Sequence, residues 1–276
     1  MNVLLTNGGG YDAKGLVAMR LALIASGFNV LTVAPTHYSE FVAQSVSHHG
    51  SLTFERAGGD EKHPIYRVDG TPVDCVRVAI LSGLAREVSV VIAGVAEGAC
   101  LGDQAAYSST VGAAVEAALL GYPSLAIAQE AVEEESDLNW SCVVGGELAA
   151  WLGAATPIRH CALNVNVPAV LKSRRLKLCE PAHRIWSPAE LGDPTIDELG
   201  RVIFSSAFNQ RPFFDMAANT DATAVASGHV SITTLAVERG FTEKDNETHA
   251  WLQNTIQIAN GRIGATPQPC ESGCCS

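Results

Sequence analysis

The sequence predicts an α/β protein built on a doubly wound, Rossmann-like, mostly parallel sheet, with a β-rich C-terminal extension. Three observations carry that expectation. Short β-branched apolar runs alternate with longer amphipathic segments through the first half, which is how a parallel sheet covered by helices reads. The first apolar run, Val3 to Thr6, ends in three consecutive glycines and passes at once into helical periodicity. Beyond Val167 the alternation fades into short strand-like pieces punctuated by Pro168, Pro181, Pro188, Pro194 and Pro212.

The elements follow in order. After the strand Val3 to Thr6 comes a helix from about Ala13 to Ala25, whose Leu16, Met19, Leu23 and Ile24 recur at helical spacing. Phe28 to Val33 is the next strand, Pro35 to His49 is polar and irregular, and Ser51 to Glu55 and Ile65 to Val68 read as short strands. Pro72 opens a helix running to about Arg86, since proline is well placed at a first helical position. Val88 to Ala93 reads as a buried central strand, Gly94 to Tyr107 as a loop, Thr110 to Leu120 as a helix and Ser124 to Ala128 as another strand. Leu163 to Val167, Val202 to Ser206 and His229 to Thr234 are strand-like, and Glu247 to Ala259 is a terminal helix. The domain reading is therefore a core over 1–167, a β-rich extension for subunit contacts with a return to the core over 168–246, a helix over 247–259, and a flexible tail over 260–276.

Composition narrows the function classes. A chain of 276 residues with 47% hydrophobic content buries one substantial core. The balance of 18 Lys+Arg against 29 Asp+Glu, net −11, has the wrong sign for gathering nucleic-acid phosphates, so no nucleic-acid partner is expected. No basic region leads into an apolar stretch at the N-terminus, and no apolar run suits a membrane span, so a cytoplasmic protein is expected. Cys75, Cys100, Cys142, Cys161 and Cys179 are scattered singly in mostly apolar surroundings and read as small hydrophobes. Cys270, Cys274 and Cys275 instead crowd the ending PCESGCCS behind the linker-like NGRIGATPQP.

In a doubly wound sheet ligands bind beyond the C-terminal ends of the strands, which points to the loops starting at Asn7, Ala34 and Gly94. The turn LLTNGGGYDAKG lets backbone approach a ligand closely and offers N–H groups to an anion, and it is equally a good structural turn. Ser108, Ser109 and Thr110 open a helix, where they serve as caps or as anion donors.

Five segments in order, LLTNGGGYDAKG, DGTPVDCVRVAI (Asp69 to Ile80), AGVAEGACLGDQAAYSSTVGAA, LNVNVP (Leu163 to Pro168) and TDATAVASGHVSITTL (Thr220 to Leu235), resemble the SurE family of metal-dependent nucleotidases and phosphatases. The resemblance implies a divalent metal held by two aspartates of an N-D-D-G turn, an asparagine of S-G-I-N and a serine after A-P. Here Asn7 and Gly10 are kept, but Gly8 and Gly9 stand at the aspartate positions and Ala96 at the asparagine position. Counting from Ala34 and Pro35 places Glu40 at the serine position, with Ser39 one place before. Hard divalent ions need several oxygen donors, so the implied metal site is expected to be lost and no cofactor is expected. Tyr107, Ser108, Thr110 and Gly112 match the family's Y-S-G-T-V-G-A-A, with Ser109 replacing a glycine. Asn7, Gly10, Ser108, Ser109 and Thr110 are therefore the candidates for holding a phosphate-like small molecule.

The expected function is a catalytically degenerate binding or scaffold module, a homodimer or homotetramer as the resemblance implies. Its tail cysteines Cys270, Cys274 and Cys275 are candidates for modification by a partner enzyme, as in ribosomally made peptide precursors, or for thiol or soft-metal capture, or for no role. The alternative is a phosphomonoester hydrolase with a rebuilt site drawn from Glu40, Glu97, Asp103 and Cys100, with His37, His48 or His49 as base.

Overall fold

The computed structural model describes residues 1–130, 138–154, 161–185, 192–205, 213–236, 250 and 253–261. Along the chain run β1 (Asn2–Thr6), α1 (Lys14–Ala25), β2 (Asn29–Pro35), β3 (Phe54–Gly58), β4 (Ile65–Val68), α2 (Pro72–Leu81) and β5 (Val90–Glu97). A short 3₁₀ segment, Gly102–Tyr107, leads into α3 (Ser109–Leu119), followed by β6 (Ser124–Gln129), α4 (Asn139–Ala154), β7 (Cys161–Val167) and β8 (Ser173–Leu178). The two-residue strands β9 (Arg184–Ile185), β10 (Thr195–Ile196), β11 (Val202–Ile203) and β12 (Phe213–Phe214) precede α5 (Asp221–Ala226) and β13 (His229–Ala236), and residues 253–261 are helical.

The main sheet has the order β3-β4-β2-β1-β5-β6-β7-β13-β8 among the described residues. β4, β2, β1, β5, β6 and β7 run parallel, while β3 and β13 are antiparallel to their neighbours β4 and β7. β1 sits between β2 and β5, so the connection after β1 leads one way across the sheet and the chain after β5 leads the other. That reversal opens a crevice at the C-terminal ends of β1 and β5, the place where such sheets bind ligands.

Both faces are covered, which explains why Val3, Leu4 and Leu5 of β1 are all apolar. Val3 and Leu5 face α1 and α4 in one core with Leu16, Met19, Leu23 and Leu148, and Leu4 faces α2 and α3 in the other with Val76, Ala79 and Ala114. Each fully buried Leu or Met on α1 contributes roughly 1.5–3 kcal/mol of transfer free energy, so packing rather than capping fixes that helix. Indeed Ala13 makes no side-chain cap. At Gly15 the helix touches the sheet directly, for a Cβ there would lie 2.1 Å from the carbonyl oxygen of Val95.

Three sequence expectations shift. The helix from Pro72 stops at Leu81 rather than Arg86, because Gly83 turns the chain at φ +81. The strand expected at Ser51 to Glu55 is an edge strand over Phe54–Gly58, mostly exposed. Val202 to Ser206 narrows to Val202–Ile203 within the described residues. Within 168–246, β8 and β13 lie in the main sheet, pairing with each other and β13 with β7.

α2 begins with a capping box. Thr71 Oγ1 accepts from Asp74 N at 3.1 Å, and Asp74 Oδ2 accepts from Thr71 N at 2.9 Å. Asp74 also accepts from the Ser47 hydroxyl at 2.6 Å and the Ser47 N–H at 3.0 Å, which ties the irregular loop before β3 to this helix. Burial pushes the Asp74 carboxyl up, but the Ser47 and Thr71 hydrogen bonds outweigh it and hold the group below its ordinary value. A depressed carboxylate stabilises the fold above its unfolded pKa and loses that contribution as pH falls through the folded one. Asp74→Ala is expected to cost about 2–3 kcal/mol at neutral pH, with the deficit shrinking in acid, as read by urea unfolding at two pH values.

Candidate functional site

The turn after β1 is tightly closed on itself. Asn7, buried, accepts from Gly10 N through Oδ1 at 3.1 Å, and Gly10 adopts φ +108, a conformation glycine reaches without a Cβ penalty. Gly8 N donates to Thr110 Oγ1 at 3.2 Å, joining the turn to the first turn of α3 across 102 residues of sequence. Two of the turn's backbone donors are thus committed inside the protein.

The space beside Gly8 and Gly9 is filled from two directions. A Cβ on Gly8 would stand 2.6 Å from Ser109 Oγ and 2.8 Å from Glu40 Cγ, and one on Gly9 would stand 2.9 Å from Ala13 Cβ and 3.9 Å from Glu40 Oε1. Ser109 is fully buried, and its hydroxyl has no hydrogen-bond partner among the described residues. Ser39 N donates to the Gly8 carbonyl at 2.8 Å, so the loop after β2 is stitched to the turn, and Glu40 is brought onto it. That loop is held from behind by Ala43 N donating to the Tyr107 carbonyl at 3.0 Å.

Ser108 caps α3, accepting from Val111 N at 3.3 Å, and also accepts from the Cys100 thiol at 3.3 Å. Of the anion candidates Asn7, Gly10, Ser108, Ser109 and Thr110, only Ser108 lines the large cavity that opens here. The peptide between Gly94 and Val95 is cis, and the end of β5 brings Ala96 and Glu97, and the loop beyond it Cys100, to the cavity wall. Burial pushes the Cys100 thiol up to about 11, only partly opposed by the Ser108 hydrogen bond, so it is protonated at neutral pH and is a poor nucleophile. Asp103 faces away toward β9, accepting from Arg184 N at 3.0 Å. The rings of His48 and His49 lie 4.5 Å apart, tilted at 56° to each other.

The cavity has a volume of about 560 Å³, in the range of small-molecule sites. Ala96, Cys100, Leu101, Gln104, Ser108, Ala222 and Val225 form its buried wall; Tyr38, Phe41, Phe214 and Met216 add apolar surface; Glu40, Glu97 and Glu130 supply charge. Glu40 accepts from the Tyr38 hydroxyl at 2.9 Å. Burial and the nearby Glu97 charge hold the Glu40 carboxyl above its ordinary value against that bond, and burial with the two glutamates pushes Tyr38 up to about 12.

Sequence reasoning missed the residues that aim the β5 loop. Asn166 Oδ1 accepts from Cys100 N at 2.7 Å, and Asn164 Nδ2 and Asn166 Nδ2 donate to the Cys100 carbonyl at 2.8 and 3.2 Å. The alternation of asparagine with buried aliphatics in LNVNVP was the available signal: alternate residues of a strand share a face, so both amides point the same way. The tail cysteines Cys270, Cys274 and Cys275 lie outside the described residues.

The family model described as Survival protein SurE matches residues 3–188. A protein of Geotalea daltonii named 5'-nucleotidase SurE is 33% identical over 239 residues, covering 86% of this chain and 94% of that protein. One of the same name from Methylococcus capsulatus is 34% identical over 260 residues, covering 93% and 99%. The crystal structure of the SurE protein from Aquifex aeolicus superposes with a TM-score of 0.68 at 25% identity, covering 92% of this chain and all of that one.

Proposed function

Because this chain belongs to the SurE family, we propose that it binds a small ligand in the cavity beyond β1 and β5 without running metal-dependent hydrolysis of phosphomonoesters. The observation that carries this reading is the packing of the first turn. At the positions the family resemblance assigns to metal ligands, Gly8, Gly9 and Ala96 carry no side-chain donor; Ser109 and Glu40 stand where a side chain on Gly8 would start, and Ala13 where one on Gly9 would. Asn7 Oδ1, the remaining amide oxygen of the turn, is used by Gly10 N. Among the described residues no three His, Cys, Asp or Glu side chains converge as metal ligands do. A divalent ion bound through several oxygens at about 2.0–2.6 Å does not fit this donor set.

The relatives' name favours a second reading, a 5'-nucleotidase working through a rebuilt site with Glu40 and Glu97 as its carboxylates. Phosphate release from AMP with Mg²⁺ or Mn²⁺ separates the two. No release above the buffer blank is expected; turnover abolished by Glu40→Ala or Glu97→Ala would establish the nucleotidase instead.

The binding reading places the protein in the cytoplasm as a homodimer or homotetramer and treats the tail as the part a partner enzyme modifies. Support for the tail's role is the sequence alone: Cys270, Cys274 and Cys275 follow a linker-like segment. Intact-mass measurement after co-expression with the neighbouring genes reads it, and an unchanged mass with every neighbour would remove it.

A further inference from the structure

We propose that the cavity takes an uncharged aromatic molecule, its ring lying between the buried apolar wall and the Tyr38 and Phe41 side chains at the mouth. The inference rests on the reading that this cavity binds a small ligand without a metal. Leu101, Ala222 and Val225 form a buried wall, and around the same cavity three large side chains are left in solvent, Tyr38 at 67% exposure, Met216 at 59% and Phe41 at 44%. A single exposed apolar residue is ordinary, but several gathered around one concave apolar wall mark a surface that a ligand covers. The volume of about 560 Å³ holds that ligand to the size of a small molecule.

The backbone under Phe41 is an independent sign. Phe41 adopts φ +59 and Ala43 φ +53, the left-handed region that a bulky L residue enters only at a cost. Two bonds hold the segment there, Ser39 N to the Gly8 carbonyl at 2.8 Å on one side and Ala43 N to the Tyr107 carbonyl at 3.0 Å on the other. Behind it stands Gly112 of α3, where a Cβ would lie 2.6 Å from the Ala43 carbonyl oxygen, so the loop is seated directly on the helix. Burial does not offset the cost, because much of the Phe41 ring stays in solvent. A ring laid on Phe41 does offset it. Tyr38 is fixed beside it, since its hydroxyl donates to Glu40 at 2.9 Å.

The remaining groups decide the ligand's charge and shape. Glu40, Glu97 and Glu130 line the cavity and among the described residues no Lys, Arg or His does, so a phosphate or carboxylate meets like charge with nothing opposite. Two of these carboxylates already have donors within the protein, Glu40 from Tyr38 and Glu130 from Ala169 N at 3.0 Å, and require no cation from the ligand. Aromatic faces attract one another beyond the area they bury, which a saturated ring of the same size does not reproduce.

The test is calorimetric titration of the full chain with 2-naphthylmethanol, its saturated decahydro analogue, 2-naphthylmethylamine and 2-naphthyl phosphate. The naphthyl alcohol is expected to bind, the saturated alcohol about three- to tenfold more weakly, the amine no more tightly than the naphthyl alcohol, and the phosphate not at all. Phe41→Leu keeps an apolar side chain and is expected to weaken the naphthyl alcohol by about the same three- to tenfold. Phe41→Gly is expected to weaken it further while keeping stability against urea close to the parent's, because glycine takes φ +59 without a Cβ penalty. A ring present only for packing would give the reverse, lost stability with unchanged binding. No binding of the naphthyl alcohol, equal binding of the saturated one, tighter binding of the amine or the phosphate, or indifference to Phe41→Leu would each overturn the proposal. Phosphate release from AMP is a separate readout: its appearance would refute metal-independent binding while leaving the naphthyl result to stand or fall by itself.

Discussion

Gly8→Asp is expected to destabilise the protein by about 3–5 kcal/mol and to restore no metal-dependent activity. The cause is room as much as charge. A Cβ at Gly8 falls 2.6 Å from Ser109 Oγ and 2.8 Å from Glu40 Cγ, distances at which a neighbour must move. The carboxylate would then be buried beside Glu40, whose own ionisation is already opposed by burial and by Glu97. Desolvation and like charge act in the same direction, and no cation on the turn offsets them. Equilibrium urea unfolding at neutral pH reads the loss, and a variant as stable as the parent would show that the turn still has space for an acid.

The same geometry makes a sharper demand on Ser109. Its hydroxyl is buried and bonds to nothing among the described residues, so Ser109→Gly removes an orphaned polar group and the nearest obstacle to a side chain at Gly8. In a double-mutant cycle the pair Gly8→Asp and Ser109→Gly is expected to couple by at least about 1 kcal/mol in the stabilising direction. Additive losses would mean that the clash is relieved elsewhere, through Glu40. Gly8 and Ser109 thus share one space, which the Ser109 hydroxyl occupies because Gly8 carries no side chain.

That packing was only half legible in the sequence. The motif positions alone identify Gly8, Gly9 and Ala96 as lacking donors, since a glycine or alanine side chain has none in any fold. What fills the space depends on two loops separated by many residues, and Glu40 reaches the turn because Ser39 N bonds to Gly8 O, a contact no local pattern encodes. The fold shows the same division. Strands β1, β5 and β6 were readable because each carries a buried apolar run. Helix α4, Asn139–Ala154, was not, because it contains Gly145 and Gly146, which read as helix breakers. Packing overrides that propensity: a Cβ at Gly145 would lie 2.5 Å from Met19 Cε, so the missing side chain is what lets α1 and α4 meet.

Asp221→Ala is expected to cost about 3–5 kcal/mol and to dismantle the cavity's far wall. Asp221 is fully buried, and its carboxylate accepts three backbone hydrogen bonds, from Gly102 N at 2.8 Å, Ala182 N at 2.9 Å and Ala222 N at 2.8 Å. These donors belong to the 3₁₀ segment, to the stretch before β9 and to α5, which are otherwise joined by a few backbone bonds, among them Asp103 N to Ala182 O at 3.1 Å and Asp221 N to Glu180 O at 3.0 Å. Truncation strands all three N–H groups, each costing its desolvation rather than merely a lost bond. The gap also loosens Leu101, Ala182, Ala222 and Val225, which pack as one small apolar cluster and include three of the cavity's lining residues. Asp221→Asn is expected to fall between, because its amide keeps one acceptor and turns a donor toward a donor. The pH dependence distinguishes this residue from Asp74. Burial raises the Asp221 carboxyl above its ordinary value against its three hydrogen bonds, so its contribution to stability is full in acid and declines as pH rises through the folded pKa. The deficit of Asp221→Ala is therefore expected to persist on acidification, where that of Asp74→Ala fades. Unfolding curves of the two variants at neutral and acidic pH decide the matter, and a deficit for Asp221→Ala that vanishes in acid would mean the buried carboxylate is held ionised by its three donors.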